Sequence, residues 1–410
     1  MSELGSDRPL TDPGSDRLGY AGFARAIASA LTDANPHDGL VVAIQGAWGS
    51  GKSTVLNFVE VVLEDDESTE VVRFNPWWFS GQEALTRNFL IQLALALEKR
   101  EILDSSLVRG VSDFADELTG SPSGLSQLFR ALRRTKSRKL KDISKLRSEI
   151  QAQLLDKKRP VLVLIDDVDR LTGDEIRQLL GVIKAVADFP YVTYLMAFDR
   201  GVVTAALANV QGVGEASGEY LDKIVQVPFE LPMPEPEGLR QLLFDALNEI
   251  LERSPEHRSF DRDRWRNVFL AGFDNLIQTP RDVIRFANSL SVTFPAVAGL
   301  VDPVDFIGIE SIRVFQPDIY DLVRTSKEQF AGAVAGVGSV FGGSDDPVAQ
   351  LRTFHNSWMS EVKGKRSSAV IGVLKALFPK VSTALGGPAS HVHLEDQWRG
   401  IYASVVPMCF

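Results

Sequence analysis

Residues 41–58, VVAIQGAWGSGKSTVLNF, leave this chain few architectures. The run Val41–Val42–Ala43–Ile44 has the pattern of a short buried strand bounded by turn residues. Beyond it, Val55, Leu56, Val59, Val62 and Leu63 share one face at helical spacing. Between strand and helix, Gly46, Gly51, Lys52 and Ser53 satisfy G-x-x-x-x-G-K-[ST] in full. A triphosphate needs several backbone N–H groups aimed at one point, so the loop must wrap closely. Glycine permits that approach and the positive φ it requires, and the helix adds its positive dipole end. The reading therefore assigns Gly46, Ala47, Trp48, Gly49, Ser50, Gly51, Lys52, Ser53 and Thr54 to nucleotide binding. Lys52 would reach the β/γ-phosphates, Ser53 would hold Mg²⁺, and Thr54 would lie near the α-phosphate.

Hydrolysis also needs carboxylates, and VLVLIDDVDRL at 161–171 supplies them. Val161–Ile165 is a fully apolar run of the kind found in parallel sheets. It ends in Asp166 and Asp167, where ligands gather at strand carboxyl ends. Asp166 fits the role of holding Mg²⁺ and Asp167 that of orienting or activating the attacking water; a solvated acidic turn is the plain alternative. A further strand, YVTYLMAFDR at 191–200, ends in Asp199 and Arg200, which read either as γ-phosphate sensors or as a surface turn. Strands are expected at 40–45, 70–74, 161–165, 192–198 and 225–229, with helical patterns at 82–98 and 175–187 among those between them. The fold class that follows is α/β: a P-loop NTPase with a five-stranded, mainly parallel sheet flanked by helices, a helical insertion and a C-terminal helical lid. The strand at 70–74 lies in sequence between the two phosphate-site strands, as in the AAA+/STAND division. No N-K-x-D signature for guanine is found, so the expected nucleotide is ATP.

Composition narrows the classes further. The net charge of −10 argues against nucleic-acid binding by the whole surface, and Cys409 is the single cysteine, which excludes an intrachain disulfide. No apolar run reaches the ~18 residues needed to span a bilayer. The best stretch, 291–309, contains Asp302, Asp305 and two prolines. The polar, acidic start does not read as a secretory signal, so the expected location is cytoplasmic.

Several stretches together resemble the KAP family of P-loop NTPases: GAWGSGKS; FNPWWFSG at 74–81; LIDDVDRL at 164–171; YLDKIVQVPFELP at 220–232; and TPRDVIRFANSL at 279–290. DRLGYAGFARAIASAL at 16–31 matches the family's N-terminal helix. The resemblance implies a STAND/AAA+-like ATPase of the kind found in bacterial antiviral and plasmid-exclusion proteins and in a membrane-associated animal branch. Many members insert transmembrane helices between the two phosphate-site motifs. This chain has a polar, helix-patterned insert at 101–156 there, so membrane anchoring does not carry over. In a STAND-like lid, Arg281 would reach back to the γ-phosphate, with Arg285 one turn on as a weaker candidate; surface ion pairs are the alternative. Arg170 is a further candidate for an arginine acting at the phosphate.

The expected organisation is an N-terminal segment and helix on the nucleotide site at 1–38 and an NTPase core at 39–232. A helical lid at 233–330 follows, then a Gly-rich linker and helical region at 331–410. Phe74, Trp77, Trp78 and Phe79 read as core packing, or else as a stacking or partner surface. Residues 130–147 hold nine Lys/Arg against one Asp, either solvating helices or contacting nucleic acid, an acidic partner or anionic lipid. His391 and His393 lack a third ligand, and GVGSVFGG at 336–343 reads as a linker. The apolar ending IYASVVPMCF suggests that the natural protein continues.

The leading expectation is an ATP hydrolase that acts as a nucleotide-driven switch or oligomerising motor in defence against phage or plasmids. Its expected partners are ATP with Mg²⁺, other copies of itself and defence proteins. The alternatives are a nucleotide-gated scaffold that recruits an effector and a nucleic-acid-stimulated motor using the basic insertion.

Overall fold

The sheet has five strands, the middle ones almost wholly apolar: β1 Leu40–Gln45, β2 Glu70–Phe74, β3 Val161–Ile165, β4 Val192–Phe198 and β5 Val227–Glu230. All pair in parallel, in the order β2-β3-β4-β1-β5. The computed structural model describes residues 8–34, 39–66, 69–79, 85–119, 138–186, 188–210, 216–254, 260–332, 347–362, 364 and 366–386. They fall into two compact units, Arg8–Pro234 and Glu235 onward.

In the first unit the helices are α1 Tyr20–Ala34, α2 Lys52–Asp66, α3 Leu85–Lys99, α4 Ser105–Thr119, α5 Arg138–Lys157, α6 Gly173–Val186, α7 Arg200–Ala208 and α8 Ser217–Asp222. Strand alternation divides the core in two. Val41, Ala43, Val161, Val163, Tyr194 and Met196 pack with Leu85, Phe89, Ile176 and Leu180 on one face. Val42, Ile44, Leu162, Leu164 and Leu195 pack with Tyr20, Ile27, Leu56 and Val59 on the other. Helices on both faces explain why β3 and β4 are buried along their whole length.

The first four strands have the bounds expected from sequence. β5 starts later than expected because the Val225 N–H donates back to Leu221 O, and the ladder is entered only where Gln226 N–H meets Val41 O. α6 starts two residues earlier than expected. Thr172 and Glu175 exchange hydrogen bonds across its first turn, Thr172 N–H to Glu175 Oε2 at 2.9 Å and Glu175 N–H to Thr172 Oγ1 at 3.4 Å, and this capping pair fixes the start.

The second unit is helical: α9 Pro236–Glu252, α10 Arg262–Val268, α11 Pro280–Thr293, α12 Pro303–Phe315, α13 Pro317–Thr325, α14 Lys327–Phe330, α15 Pro347–Glu361, α16 Ser367–Leu377 and α17 Pro379–Ala384. Residues 347–386, set apart in the sequence reading, pack within this same unit. Thr279 and Asp282 cap α11 reciprocally, with Pro280 at its first position.

α10 runs into a π-turn at Phe269–Phe273, which crosses α16 at two glycines. A Cβ on Gly372 would lie 1.8 Å from Ala271 O, and one on Gly272 would lie 2.1 Å from Ala369 O. Helix propensity alone would make Gly372→Ala stabilising by about 1 kcal/mol. The obstruction is backbone, so the two segments must separate, and overpacking of this kind costs about 1–3 kcal/mol or more. We expect Gly372→Ala to lower the thermal midpoint. Gly22→Ala, at an exposed position of α1 with nothing within 4 Å, should leave it unchanged or raise it.

His355 is fully buried on α15 among Phe330, Phe354 and Trp358. Trp358 Nε1–H donates to its Nδ1 at 2.9 Å, so the ring proton sits on Nε2, which faces Gln329 O at 3.1 Å. Burial lowers its pKa below the ordinary value. The folded pKa lies below the unfolded one, so this contribution is complete above about pH 6.5 and is lost as pH falls toward the folded value. Buried Asp305, pushed up to about 7 by burial despite its pairing with Arg264, acts with the opposite sign. The His355 part is isolated by a difference: between pH 7.5 and 5.5, wild type should lose more urea stability than His355→Gln, by at most about 1.4 kcal/mol per pH unit. Equal losses would remove His355 from the account.

Candidate functional site

The loop between β1 and α2 is held from three sides. Gly46 N–H donates to Phe198 O of β4, and Trp48 N–H to Asp199 Oδ2 at 3.1 Å. Gly51 has φ +97°, and a Cβ there would lie 2.7 Å from the Tyr20 ring. Only glycine fits. The Tyr20 hydroxyl, which burial pushes up to about 12, stays protonated and donates to Ser50 O at 2.6 Å. Ahead of α1, Leu10 N–H donates to Thr54 Oγ1 at 3.2 Å and Asn57 Nδ2 donates to Leu10 O at 2.8 Å. The segment before β1 thus braces the loop and the first turn of α2.

Lys52 opens α2. Its ammonium donates to Gly46 O at 3.0 Å and Ala47 O at 3.2 Å, and lies 3.4 Å from Asp169 Oδ2. Ser53, one residue on, stands close enough to Asp166, just past β3, to lower the pKa of that carboxyl. Burial raises the Asp166 pKa, and Ser53 partly offsets this. The two oxygen ligands expected for Mg²⁺ are therefore near neighbours, a hard donor set that suits the ion. Ser50 Oγ is buried in the loop without a hydrogen-bond partner. The amides opening α2 lack intrahelical acceptors by geometry. Such a cradle can take phosphate oxygens.

Asp167 follows in a left-handed conformation, φ +57°, which turns its carboxylate away from the path of β3. Asn75 Nδ2–H donates to its Oδ2 at 3.0 Å, and the Arg170 guanidinium forms an ion pair with it, Nε 2.7 Å from Oδ1. Arg170 faces the rings of Trp48, 5.4 Å away, and Trp77, 5.2 Å away.

The structure brings Lys52, Ser53, Asp166 and Asp167 into one neighbourhood. It also adds Asp169, Asn75 and Tyr20, which the sequence reading did not assign. Asp169 was the third acid of DDVDR; its other oxygen contact, from Asp199 N–H at 2.9 Å, fastens β4 to the same place. Asp199 reaches the loop and caps α7, whereas Arg200 pairs bidentately with Asp222 at 2.8 and 3.1 Å. The core-packing reading of the aromatics holds for Phe74, which is buried, and for Phe79, which is half-buried and stacks on Phe74 with ring centroids 5.7 Å apart. Trp77 is 47% and Trp78 71% exposed, because the turn Pro76–Phe79 leaves the sheet edge. Arg281 and Arg285 belong to the second unit, in the first turns of α11. Residues 130–137 of the basic island, 336–343, His391, His393 and Cys409 lie outside the described residues. Within α5, Lys145 pairs with Glu149 and Arg147 with Asp188. Among the described residues no helix is long and apolar enough to cross a membrane.

Residues 20–297 match the model of the KAP family P-loop domain. The phage T7 exclusion protein of Escherichia coli K12 is 28% identical over 357 residues, 78% of this chain and 47% of that protein. The chain thus spans about half the length of the curated relative it matches. Among solved structures, the ADP form of the Aeropyrum pernix ORC2 protein is 12% identical with a TM-score of 0.34, covering 93% of this chain and 92% of that one. Cdc6p from Pyrobaculum aerophilum is 12% identical with a TM-score of 0.37, covering 96% and 88%. At these scores the likeness is loose, and nothing below rests on it.

Proposed function

Because this chain belongs to the KAP family of P-loop NTPases, we propose that it binds ATP with Mg²⁺ and hydrolyses it, using the turnover as a conformational switch. The observation that carries this reading is that Lys52, 3.4 Å from Asp169, and Ser53, beside Asp166, meet at the carboxyl ends of β1 and β3, the two strands that flank β4. Lys52 and the amides opening α2 bind the phosphates; Ser53 and Asp166 hold the ion. The ion, when bound, offsets charge on the β- and γ-oxygens. Asp167 orients the attacking water and accepts its proton. In the same proposal the N-terminal segment 1–38 belongs functionally to the 39–232 core, and Arg281 serves as a γ-phosphate sensor. Copies of the chain assemble in the ATP state in a cytoplasmic defence role. The likeness to the phage T7 exclusion protein supports an action against phage.

Equilibrium ATP titration, phosphate release and mass measurement of the same sample, with and without Mg²⁺ and DNA or RNA, test the whole reading. Saturable ATP binding with Mg²⁺-dependent phosphate release is expected. Binding without release would favour the nucleotide-gated scaffold; absence of both would end the proposal.

A further inference from the structure

Asp167 does not stand on its own backbone alone. Its carboxylate is held from two different elements: by a hydrogen bond from Asn75 Nδ2–H in the turn after β2 and by an ion pair with the Arg170 guanidinium, Nε 2.7 Å from Oδ1, in the turn after β3. Asn75 is fixed in turn, its Oδ1 accepting Trp77 N–H at 3.0 Å. The Arg170 guanidinium faces two indoles, Trp48 from the phosphate loop and Trp77 from the FNPWWF turn. Trp48 lies between Gly46 and Gly49, within the loop that would wrap the phosphates, and is itself 44% exposed. A guanidinium is planar and stacks on aromatic faces while its Nε–H points sideways, which an ammonium cannot do. Both indoles remain largely open to solvent although each could have been buried, and what they share is this one cation.

We propose that Arg170 is the positioning residue for Asp167, and that its stack on Trp48 makes the placement of that carboxylate depend on the conformation of the phosphate loop. Arg170 does not touch the nucleotide in this account. It orients the group that receives the water proton, and Trp48 reports to it whether the loop is wrapped around phosphate. The inference rests on the ATPase reading and assigns that site its internal coupling.

Kinetics and ATP affinity of Arg170→Ala, Arg170→Lys, Trp48→Ala and the Arg170→Ala/Trp48→Ala pair test it, with circular dichroism and unfolding midpoints to confirm the fold. Arg170→Ala should lower kcat about tenfold or more, with ATP affinity and KM within about threefold. Arg170→Lys, which keeps the charge but loses the stack, should recover only part of that loss. Trp48→Ala should also lower kcat, and the double variant should cost no more than Arg170→Ala alone, because both changes break one linkage. Full kcat in Arg170→Ala, full recovery by lysine, or losses that multiply in the double variant would each overturn the inference and leave the ATPase reading standing. A wild-type chain that neither binds nor turns over ATP would instead remove the reading on which it rests.

Discussion

Lys52→Ala should weaken ATP affinity by about a hundredfold or more. A lysine bound to phosphate makes charge-assisted hydrogen bonds worth about 1.5–3 kcal/mol each, and every 1.4 kcal/mol is a factor of ten in affinity. Part of that gain is offset, because Lys52 must give up Gly46 O and Ala47 O, which it bonds at 3.0 and 3.2 Å. Those are neutral acceptors and Asp169 is a charged one, so a polyanion competes well only for the first two. The variant also strands Asp169, largely buried, without its counter-charge, and this adds to the loss. Isothermal titration with ATP–Mg²⁺ reads the effect. Affinity within threefold of wild type would mean that phosphate does not occupy this loop.

Asp167→Asn should keep ATP affinity within about threefold and lower kcat by about 10²–10⁴, the range for losing a general base. Asparagine has the same shape, and its one carbonyl oxygen can still take a donor from Asn75 or Arg170, so the local frame survives. What goes is proton acceptance. The measurement is single-turnover phosphate release beside the binding titration, which separates chemistry from product release. Wild-type turnover would dismiss Asp167 as base. Asp169 is then a poor substitute, since Lys52 and the Asp199 N–H already engage its Oδ2.

The middle of the sheet was legible because β1, β3 and β4 are almost wholly apolar runs closed by turn residues, and burial on both faces leaves no polar alternation to mislead. The phosphate loop was legible because its spacing is fixed by what a backbone must do to surround an anion. Three features were not. Tyr20 meets Ser50 across thirty residues, a distance over which periodicity carries no information. Asp169 has the same letter as its neighbours, and only the turn at Val168–Arg170 decides that it faces Lys52 while Asp167 faces Arg170. Trp77 and Trp78 have the composition of core, yet a 3₁₀ turn at the sheet edge carries them outward. Side-chain direction in short turns is a tertiary result, so composition predicts it poorly.

The clasp of Leu10 and Tyr20 on Thr54, Asn57 and Ser50 means that the phosphate-gripping machinery starts well upstream of its signature. A fragment trimmed to begin at β1 would retain every signature letter and still lack its brace. Any displacement of the segment before β1 would pass through these bonds to the loop and to the first turns of α2.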